Sequence, residues 1–365
     1  MPGHRTNAQT RSYGVAGCRA SMPGHRTNVQ TRSYGVPGHR TTTGKTGAVG
    51  DGTGFFGRIG FKMSDLYYYD RSNGELRREK ILGDFFMRLA YNYRLGKLLH
   101  WPLFGQAFFS RLLGYYADCR VSRRRIAGTI KDLGIDMSEV AVPEQGFACF
   151  NDFFARRLKA DARPLAAAKT TLISPADCRL LVYPRLEALD CIPVKGSRFN
   201  VAELLGAPGG GLAGEFAGGS LCVCRLCPAD YHRYHFPADG KLLRRWLLRG
   251  KYHSVHPFAL HTGLKVFTQN LRQVNELELV DLGKAAFIEV GAFAVSSIQE
   301  TFGGGEFRKG EEKGYFAFGG STIIMIFRAG SIEFDADLVA KSAENMECLV
   351  RMGEQIATIV APSGR

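Results

Sequence analysis

Two short stretches of this chain concentrate side chains that can move protons or attack a carbonyl. One is Pro228-Ala229-Asp230-Tyr231-His232-Arg233-Tyr234-His235-Phe236-Pro237, with two histidines three residues apart and a proline at each end. Imidazoles titrate near neutral pH and are natural proton carriers. The other is Gly314-Tyr315-Phe316-Ala317-Phe318-Gly319-Gly320-Ser321-Thr322, which runs directly into the apolar stretch 323–327. Its paired glycines free the backbone and leave the Gly320 carbonyl open to the neighbouring Ser321 hydroxyl. A serine served by a histidine base with a carboxylate behind it is an activated nucleophile. Asp177, in Ser174-Pro175-Ala176-Asp177, is the candidate carboxylate. On residue types alone two readings stay open: a serine that attacks its own chain, and a Ser/His/Asp hydrolase that never cleaves itself. The second lacks a G-x-S-x-G elbow.

Two other motifs carry less. Cys222-x-Cys224-x-x-Cys227, ahead of His232 and His235, has zinc-like density. Yet Cys222 and Cys224 alternate as on a strand, Pro228 follows Cys227 at once, and there is no second C-x-x-C, so no metal is expected. Gly44-Lys45-Thr46 is not a P-loop, because His39 stands where the motif needs its first glycine.

The elements that must position these groups divide the chain unevenly. Residues 1–15 and 22–36 are near-identical copies, and the Gly-, Arg- and Thr-rich segment 1–54 is expected to be disordered. Residues 64–80 read as a hairpin around Ser72-Asn73-Gly74. Residues 84–117 read as two helices broken near Trp101-Pro102, and 123–140 as another. Between Phe85 and Ala117 there is no acid, ten aromatics, and the four cations Arg88, Arg94, Lys97 and Arg111. That pattern suits either amphipathic helices packed on a core or a surface that enters a lipid headgroup layer. Beyond about residue 170, short apolar runs at 221–227, 263–268, 286–298 and 322–328 read as strands, with a brief helix at 200–205. The expected class is α+β: a helical, membrane-facing N-terminal region, 55–165, followed by a β-rich, antiparallel sandwich- or barrel-like catalytic body, 166–365.

Composition bounds the classes. The chain has 365 residues, 45% of them apolar, enough for a full core. No apolar run of 18 residues occurs, which excludes a spanning helix, and no apolar N-terminal segment suggests a signal peptide. Nine scattered cysteines favour a reducing compartment. The net charge is +14, with six Arg, one Lys and no acid in residues 1–50. Anionic lipid, acidic substrates and nucleic acid are all compatible with that charge.

In order along the chain, Phe153-Phe154-x-Arg156-x-Leu158-Lys159, Ala162-Arg163-Pro164, Ser174-Pro175-Ala176-Asp177, Asp230-Tyr231-His232-Arg233-x-His235-x-Pro237 and Gly319-Gly320-Ser321-Thr322 closely resemble the phosphatidylserine decarboxylase proenzymes. Lys195-Gly196, Leu204-Leu205-Gly206, Asn270 with Arg272, and Val290-Gly291-Ala292 resemble the same family, and Tyr67-Tyr68-x-Asp70-Arg71 resembles its longer bacterial branch. The likeness covers roughly residues 62–361. His256 departs from it, standing where relatives generally carry Asn.

The resemblance implies that His235, oriented by Asp177, serves Ser321, that the chain is cut between Gly320 and Ser321, and that Ser321 becomes a covalent pyruvoyl cofactor. It implies His232 as proton donor in the decarboxylation of phosphatidylserine to phosphatidylethanolamine, and gives Arg233 a place near the substrate phosphate or carboxylate. The implied partners are phosphatidylserine, an anionic membrane surface, the large and small chains of one precursor, and a second copy in a homodimer, with no nucleic acid. The implied location is peripheral, on the cytoplasmic face of the cell membrane. The rival classes are the hydrolase above and a non-catalytic lipid-binding relative.

Overall fold

The run Ser-Thr-Ile-Ile-Met-Ile-Phe at 321–327 has no polar alternation, so a strand made of it needs apolar cover on both faces. The fold supplies that cover. A computed structural model describes residues 66–79, 107–186, 192–194, 197–251, 253, 265–291, 298–318 and 321–360, without the side chains of 107–111 and 192–198. The expectations for 1–54, for 80–106 with Arg88, Arg94 and Lys97, for the Arg111 side chain, and for Lys195, Gly196, His256, Ala292, Gly319 and Gly320 lie outside these residues.

The strands are β1 (Tyr67–Asp70), β2 (Glu75–Arg78), β3 (Thr171–Ile173), β4 (Cys178–Tyr183), β5 (Ile192–Val194), β6 (Ser197–Phe199), β7 (Ser220–Leu226), β8 (Arg233–His235) and β9 (Gly240–Leu248). There follow β10 (Arg272–Leu279), β11 (Gly283–Gly291), β12 (Ile298–Glu300), β13 (Glu306–Phe307), β14 (Glu312–Phe316), β15 (Ser321–Phe327), β16 (Ile332–Phe334), β17 (Cys348–Val350) and β18 (Gln355–Ile359). The helices are α1 (Ala107–Asp118), α2 (Ile126–Leu133), α3 (Phe150–Phe154), α4 (Val201–Leu205), α5 (Gly210–Ala213), α6 (Val266–Gln269) and α7 (Ala336–Ala343).

Ten strands form one sheet in the order β13-β9-β10-β11-β15-β7-β4-β17-β1-β2. All its pairs are antiparallel except β1 with β17. β15 lies inside the sheet, with Ser321 opposite Leu226 of β7 and opposite Gly291 of β11. Its side chains alternate between two cores. Ile323, Met325 and Phe327 join Cys222, Cys224, Leu180 and Phe287 on one face. Ile324 and Ile326 join Leu221, Val223, Ile288 and Leu204 on the other. Smaller sheets, β12-β14-β8 and β16-β18-β3, accompany it.

The architecture is thus mixed α/β with a large β-rich body and few helices. The main sheet is open among the described residues, with β13 and β2 at its edges, and residues of both three-stranded sheets, among them Phe316, Phe334 and Ile356, share the core on one of its faces. The run 263–268 is corrected, since 266–269 is the helix α6; its apolar Val266 and Phe267 are buried by one helical turn as readily as by a strand. The helix expected over 123–140 is a 3-10 turn, Arg120–Arg125, followed by α2, which stops where Gly134 takes φ 68°. No described helix is long and apolar enough to cross a membrane.

Charge holds the β1–β2 hairpin to the body. Arg225 of β7 donates to Glu79 (2.7 and 3.0 Å) and to Glu347 (2.6 and 2.9 Å), all three being buried. Arg71 in the hairpin turn reaches Asp335 and Asp337 beside α7. The Arg179 guanidinium lies 4.1 Å from the centre of the Tyr68 ring. Removing one partner of a buried ion cluster strands the others. Arg225→Met is expected to cost about 3–5 kcal/mol in chemical denaturation. A loss below about 1 kcal/mol would show that water, not Arg225, solvates the two carboxylates.

Candidate active site

The Ser174–Asp177 turn joins β3 to β4, and its Pro175 carbonyl accepts the His235 backbone N–H at 2.8 Å. This places Asp177 and His235 in adjoining segments without a bond between their side chains. The Asp177 carboxylate is instead gripped by Arg163, with Nε at 2.9 Å from Oδ1 and Nη2 at 2.6 Å from Oδ2. It also accepts the Met352 N–H at 2.9 Å. Arg163 carries Glu139 as well, at 2.8 Å.

His235 takes its orientation from other partners. Its Nδ1 lies 3.0 Å from the Gly310 carbonyl, which can only accept, so Nδ1 holds the proton and Nε2 carries the lone pair. The Tyr231 hydroxyl sits 3.2 Å from that Nε2 and donates to it. Burial raises the Tyr231 pKa, which keeps the donor protonated. Burial lowers the His235 pKa, and the Gly310 hydrogen bond only partly opposes it.

His232 has the same tautomer for the same reason: its Nδ1 lies 2.9 Å from the Asp230 carbonyl. Its Nε2 is fully buried and has no partner. The ring stands 3.9 Å from that of Phe154, centroid to centroid. Burial, reinforced by the nearby Arg156 charge, pushes its pKa down to about 3. His232 is a neutral imidazole whose bare nitrogen faces into the protein.

Ser321 begins β15, is fully buried, and its Oγ has no hydrogen-bond partner; the Thr322 hydroxyl is in the same condition. The approach to Ser321 is pinned from the helical layer. Phe318 packs edge-on against Phe150 (4.8 Å) and Phe154 (5.3 Å) of α3, and its N–H donates to Asn151 Oδ1 at 2.7 Å. Phe154 therefore touches both Phe318 and the His232 ring, which ties the serine segment to the histidine turn. α3 is itself fixed by its aromatic face, since Phe150, Phe153 and Phe154 are all buried.

Among the residues singled out from sequence, His232 and the segment leading to Ser321 come together, through Phe154 and through the Phe316 N–H that donates to the His232 carbonyl at 2.9 Å. Asp177 reaches Arg163 rather than a histidine, and Gly320 and His256 lie outside the described residues. Arg233 is spent elsewhere: Nη1 binds Glu312 at 2.7 Å and Nε binds the Ala155 carbonyl at 2.9 Å. Cys222 and Cys224 are buried core residues, while the Cys227 thiol lies 3.2 Å from Glu79. Among the described residues no group of three His, Cys, Asp or Glu side chains is placed to hold a metal. A cavity of about 810 Å³ beside β9, β10 and β13, lined by Asp239, Lys241, Glu278 and Arg308 among others, contains none of the groups above.

Sequence reading missed four contributors. Tyr231, Arg163 and Phe318 sat inside quoted motifs without a role; Asn151 carried no signal beyond proximity to those motifs. A buried, unpartnered serine hydroxyl at the head of a central strand, and a neutral imidazole with a free nitrogen joined through Phe154 to the segment before it, are groups that acyl transfer or self-processing can use. Comparison with known proteins narrows this. The sequence model of the phosphatidylserine decarboxylase family matches residues 150–358. A phosphatidylserine decarboxylase proenzyme of Chlamydia trachomatis serovar L2 is 38% identical over 293 residues, covering 80% of this chain and 97% of that protein. Proenzymes of the same description from Chlamydia muridarum (38% over 296 residues, 81% and 98% covered) and Clostridium botulinum type Ba4 (40% over 294 residues, 80% and 99% covered) are equally similar. The chain belongs to the phosphatidylserine decarboxylase family.

The two neutral histidines set an acid limit on stability. Their folded pKa values lie below the unfolded value of about 6.5, so at lower pH the unfolded chain binds protons that the fold refuses. Stability is complete above pH 6.5 and falls as pH drops, by up to about 1.4 kcal/mol per unit for His232. Denaturation midpoints at pH 7.5 and 5.5 should differ, and His232→Gln should shrink the difference. An unchanged pH slope in His232→Gln would mean that folding does not shift the titration of this ring.

Proposed function

We propose that this protein is a proenzyme that cleaves itself between Gly320 and Ser321 and then decarboxylates phosphatidylserine to phosphatidylethanolamine and CO₂ at a membrane surface. The observation that carries the reading is the Ser321 hydroxyl, buried and unpartnered on the first residue of an interior strand. Buried hydroxyls are ordinarily hydrogen-bonded, and a bare one directly after the Gly319-Gly320 pair supports a role for Ser321 in reaction.

In this reading a base takes the Ser321 proton and the alkoxide attacks the Gly320 carbonyl. The amide nitrogen leaves and is protonated, giving an ester. Elimination frees the Gly320 carboxylate and leaves a dehydroalanine, and addition of water with loss of ammonia converts it to a pyruvoyl group. The site fits such a group: the atoms to be converted open the small chain, where Ser321 is held by strands on either side. A ketone there supplies an electron sink for the carbon that loses CO₂.

The family motif assigns His235 to the Ser321 proton and His232 to protonation of the decarboxylated carbon. Two features bear on this. His235 Nε2 is engaged by Tyr231 and must exchange that hydrogen bond for one from Ser321. His232 Nε2 has nothing to exchange. Asp177 then acts on His235 at a distance, through its negative charge, while Arg163 and Met352 fix its place.

Membrane action is supported by one surface of the helical layer. Leu112, Tyr115 and Tyr116 of α1 and Val121 just after it are exposed, Tyr115 at 72%. Arg120, Arg123, Arg124 and Arg125 are exposed beside them. Apolar and aromatic tips flanked by arginines suit an anionic headgroup layer, consistent with a peripheral position on the cytoplasmic face of the cell membrane. A homodimer of paired large and small chains completes the reading, supported by the family resemblance.

Two experiments test it. On a denaturing gel the parent should separate into two chains, whereas Ser321→Ala should run as one. In the same preparations His235→Ala should stay uncleaved, while His232→Ala should mature and lose roughly 10²–10⁴-fold in CO₂ release. The reverse pattern would exchange the two roles. For the surface, Arg120→Glu with Arg124→Glu and Arg125→Glu should weaken binding to vesicles containing phosphatidylserine, more so at low salt, without affecting cleavage. Equal binding of variant and parent would remove this face from the membrane contact.

A further inference from the structure

Among the described residues, the buried and half-buried arginines around the site and the main sheet are neutralised or saturated, except Arg156. Arg163, Arg179, Arg225 and Arg233 each contact a carboxylate. Arg272 contacts none, but all three of its nitrogens donate to carbonyls, those of Leu204, Thr268, Asn270 and Glu203. Arg156 is only 4% exposed and uses one nitrogen: Nη2 donates to the carbonyls of Ala229 (2.8 Å) and Asp230 (3.0 Å). Its Nε and Nη1 are buried with no partner. The nearest carboxylates are committed, Asp230 to Arg179 and the Cys227 N–H, and Asp177 to Arg163. Burial lowers the Arg156 pKa, and the charges of Asp177 and Asp230 only partly oppose it. The guanidinium also lies 5.3 Å from the centre of the Phe153 ring, but a buried cation with two bare donors is still a costly feature for a core.

Its place gives the cost a purpose. Arg156 Nη2 and His232 Nδ1 share one acceptor, the Asp230 carbonyl, so the guanidinium and the imidazole are neighbours. Through Phe154 the same imidazole adjoins the segment leading to Ser321. We infer that the free Nε–Nη1 edge of Arg156 binds the phosphodiester of the phospholipid headgroup. This deepens the function proposed above and rests on it.

The headgroup offers two anions, a carboxylate and a phosphodiester. A guanidinium on the carboxylate would hold the ground state back, because that charge disappears as CO₂ leaves. The phosphodiester keeps its charge throughout, and it lies one carbon from the centre that bears the amine and carboxylate. Two adjacent N–H donors match two phosphate oxygens in a fork. A third oxyanion, the Gly320 carboxylate freed by cleavage, is separated from these by experiment.

The test compares the matured parent with Arg156→Gln and Arg156→Lys on two detergent-dispersed substrates, phosphatidylserine and a phosphate-free O-acylserine. Arg156→Gln is expected to raise KM for phosphatidylserine roughly 10- to 100-fold, the worth of a charge-assisted hydrogen bond, with kcat within about 3-fold. Arg156→Lys, which keeps the charge, should fall between. On O-acylserine neither substitution should matter. Binding is read without turnover by equilibrium dialysis of glycerophosphoglycerol, a phosphodiester with neither amine nor carboxylate; the parent should retain it and Arg156→Gln should not. A loss of kcat at constant KM would make Arg156 act only in the transition state, not on a charge that persists, and would overturn the inference. An equal rise in KM on both substrates would place Arg156 on the carboxylate they share and overturn it too, and failure of both variants to mature would reduce Arg156 to a brace for the 229–230 turn. Dissociation of the two chains in Arg156→Gln, with glycerophosphoglycerol binding intact, would give Arg156 to the Gly320 carboxylate. A parent that neither cleaves nor releases CO₂ would sink the proposed function instead, while the dialysis still decides whether Arg156 binds a phosphodiester.

Discussion

The structure depends on β15 being hydrogen-bonded along both edges. Its register runs from Ser321 to Phe327 against Leu226–Ser220 on one side and Gly291–Ala285 on the other. Each backbone group of an interior strand is satisfied by a neighbour, and its side chains are buried on two faces. A strand held this way does not rely on the peptide bond that precedes it. Downstream, β17 pairs with β4 and β1, and β18 pairs with β3, so the segment after Ser321 is anchored across the sheet system. Cleavage before Ser321, as proposed above, would leave these ladders in place of the covalent link.

The segments that meet near β15 also hold buried polar atoms without hydrogen-bond partners. Elsewhere buried charges are matched closely, as in Arg225 with Glu79 and Glu347, or Lys313 with Glu289 and Glu300. In the candidate site, His232 Nε2, Ser321 Oγ, Thr322 Oγ1 and the Nε–Nη1 edge of Arg156 are left without hydrogen-bond partners. Such groups destabilise a fold by their lost solvation, and the surrounding aromatic packing of Phe150, Phe154 and Phe318 offsets it. The contrast within one molecule separates a scaffold from a site.

Much of this was legible in the sequence because it is local. The apolar run at 321–327 and the alternation at 220–226 have one strand solution each, and Ser72-Asn73-Gly74 announces the turn between β1 and β2. The motif order also pointed to the family. What stayed hidden is what the fold brings together over distance. Nothing near Asp177 in sequence shows that Arg163 occupies its carboxylate, or that Gly310 and Tyr231 orient His235. Asn151 and Phe318, far apart in the chain, meet only because α3 packs against the segment before β15. The run 263–268 was misread as a strand because a short apolar stretch has no period long enough to choose. The density of cysteines at 222–227 is a consequence of packing small side chains into the core between β4 and β15.

The central claim is that Ser321 is consumed to make the catalytic group. Intact-mass spectrometry of the purified protein, before and after phenylhydrazine, addresses it directly. The account predicts a small chain spanning 321–365 whose first residue is a ketone, lighter than the serine form and shifted by one hydrazone adduct. A small chain that begins with unmodified serine, or a single intact chain that still decarboxylates phosphatidylserine, would contradict it.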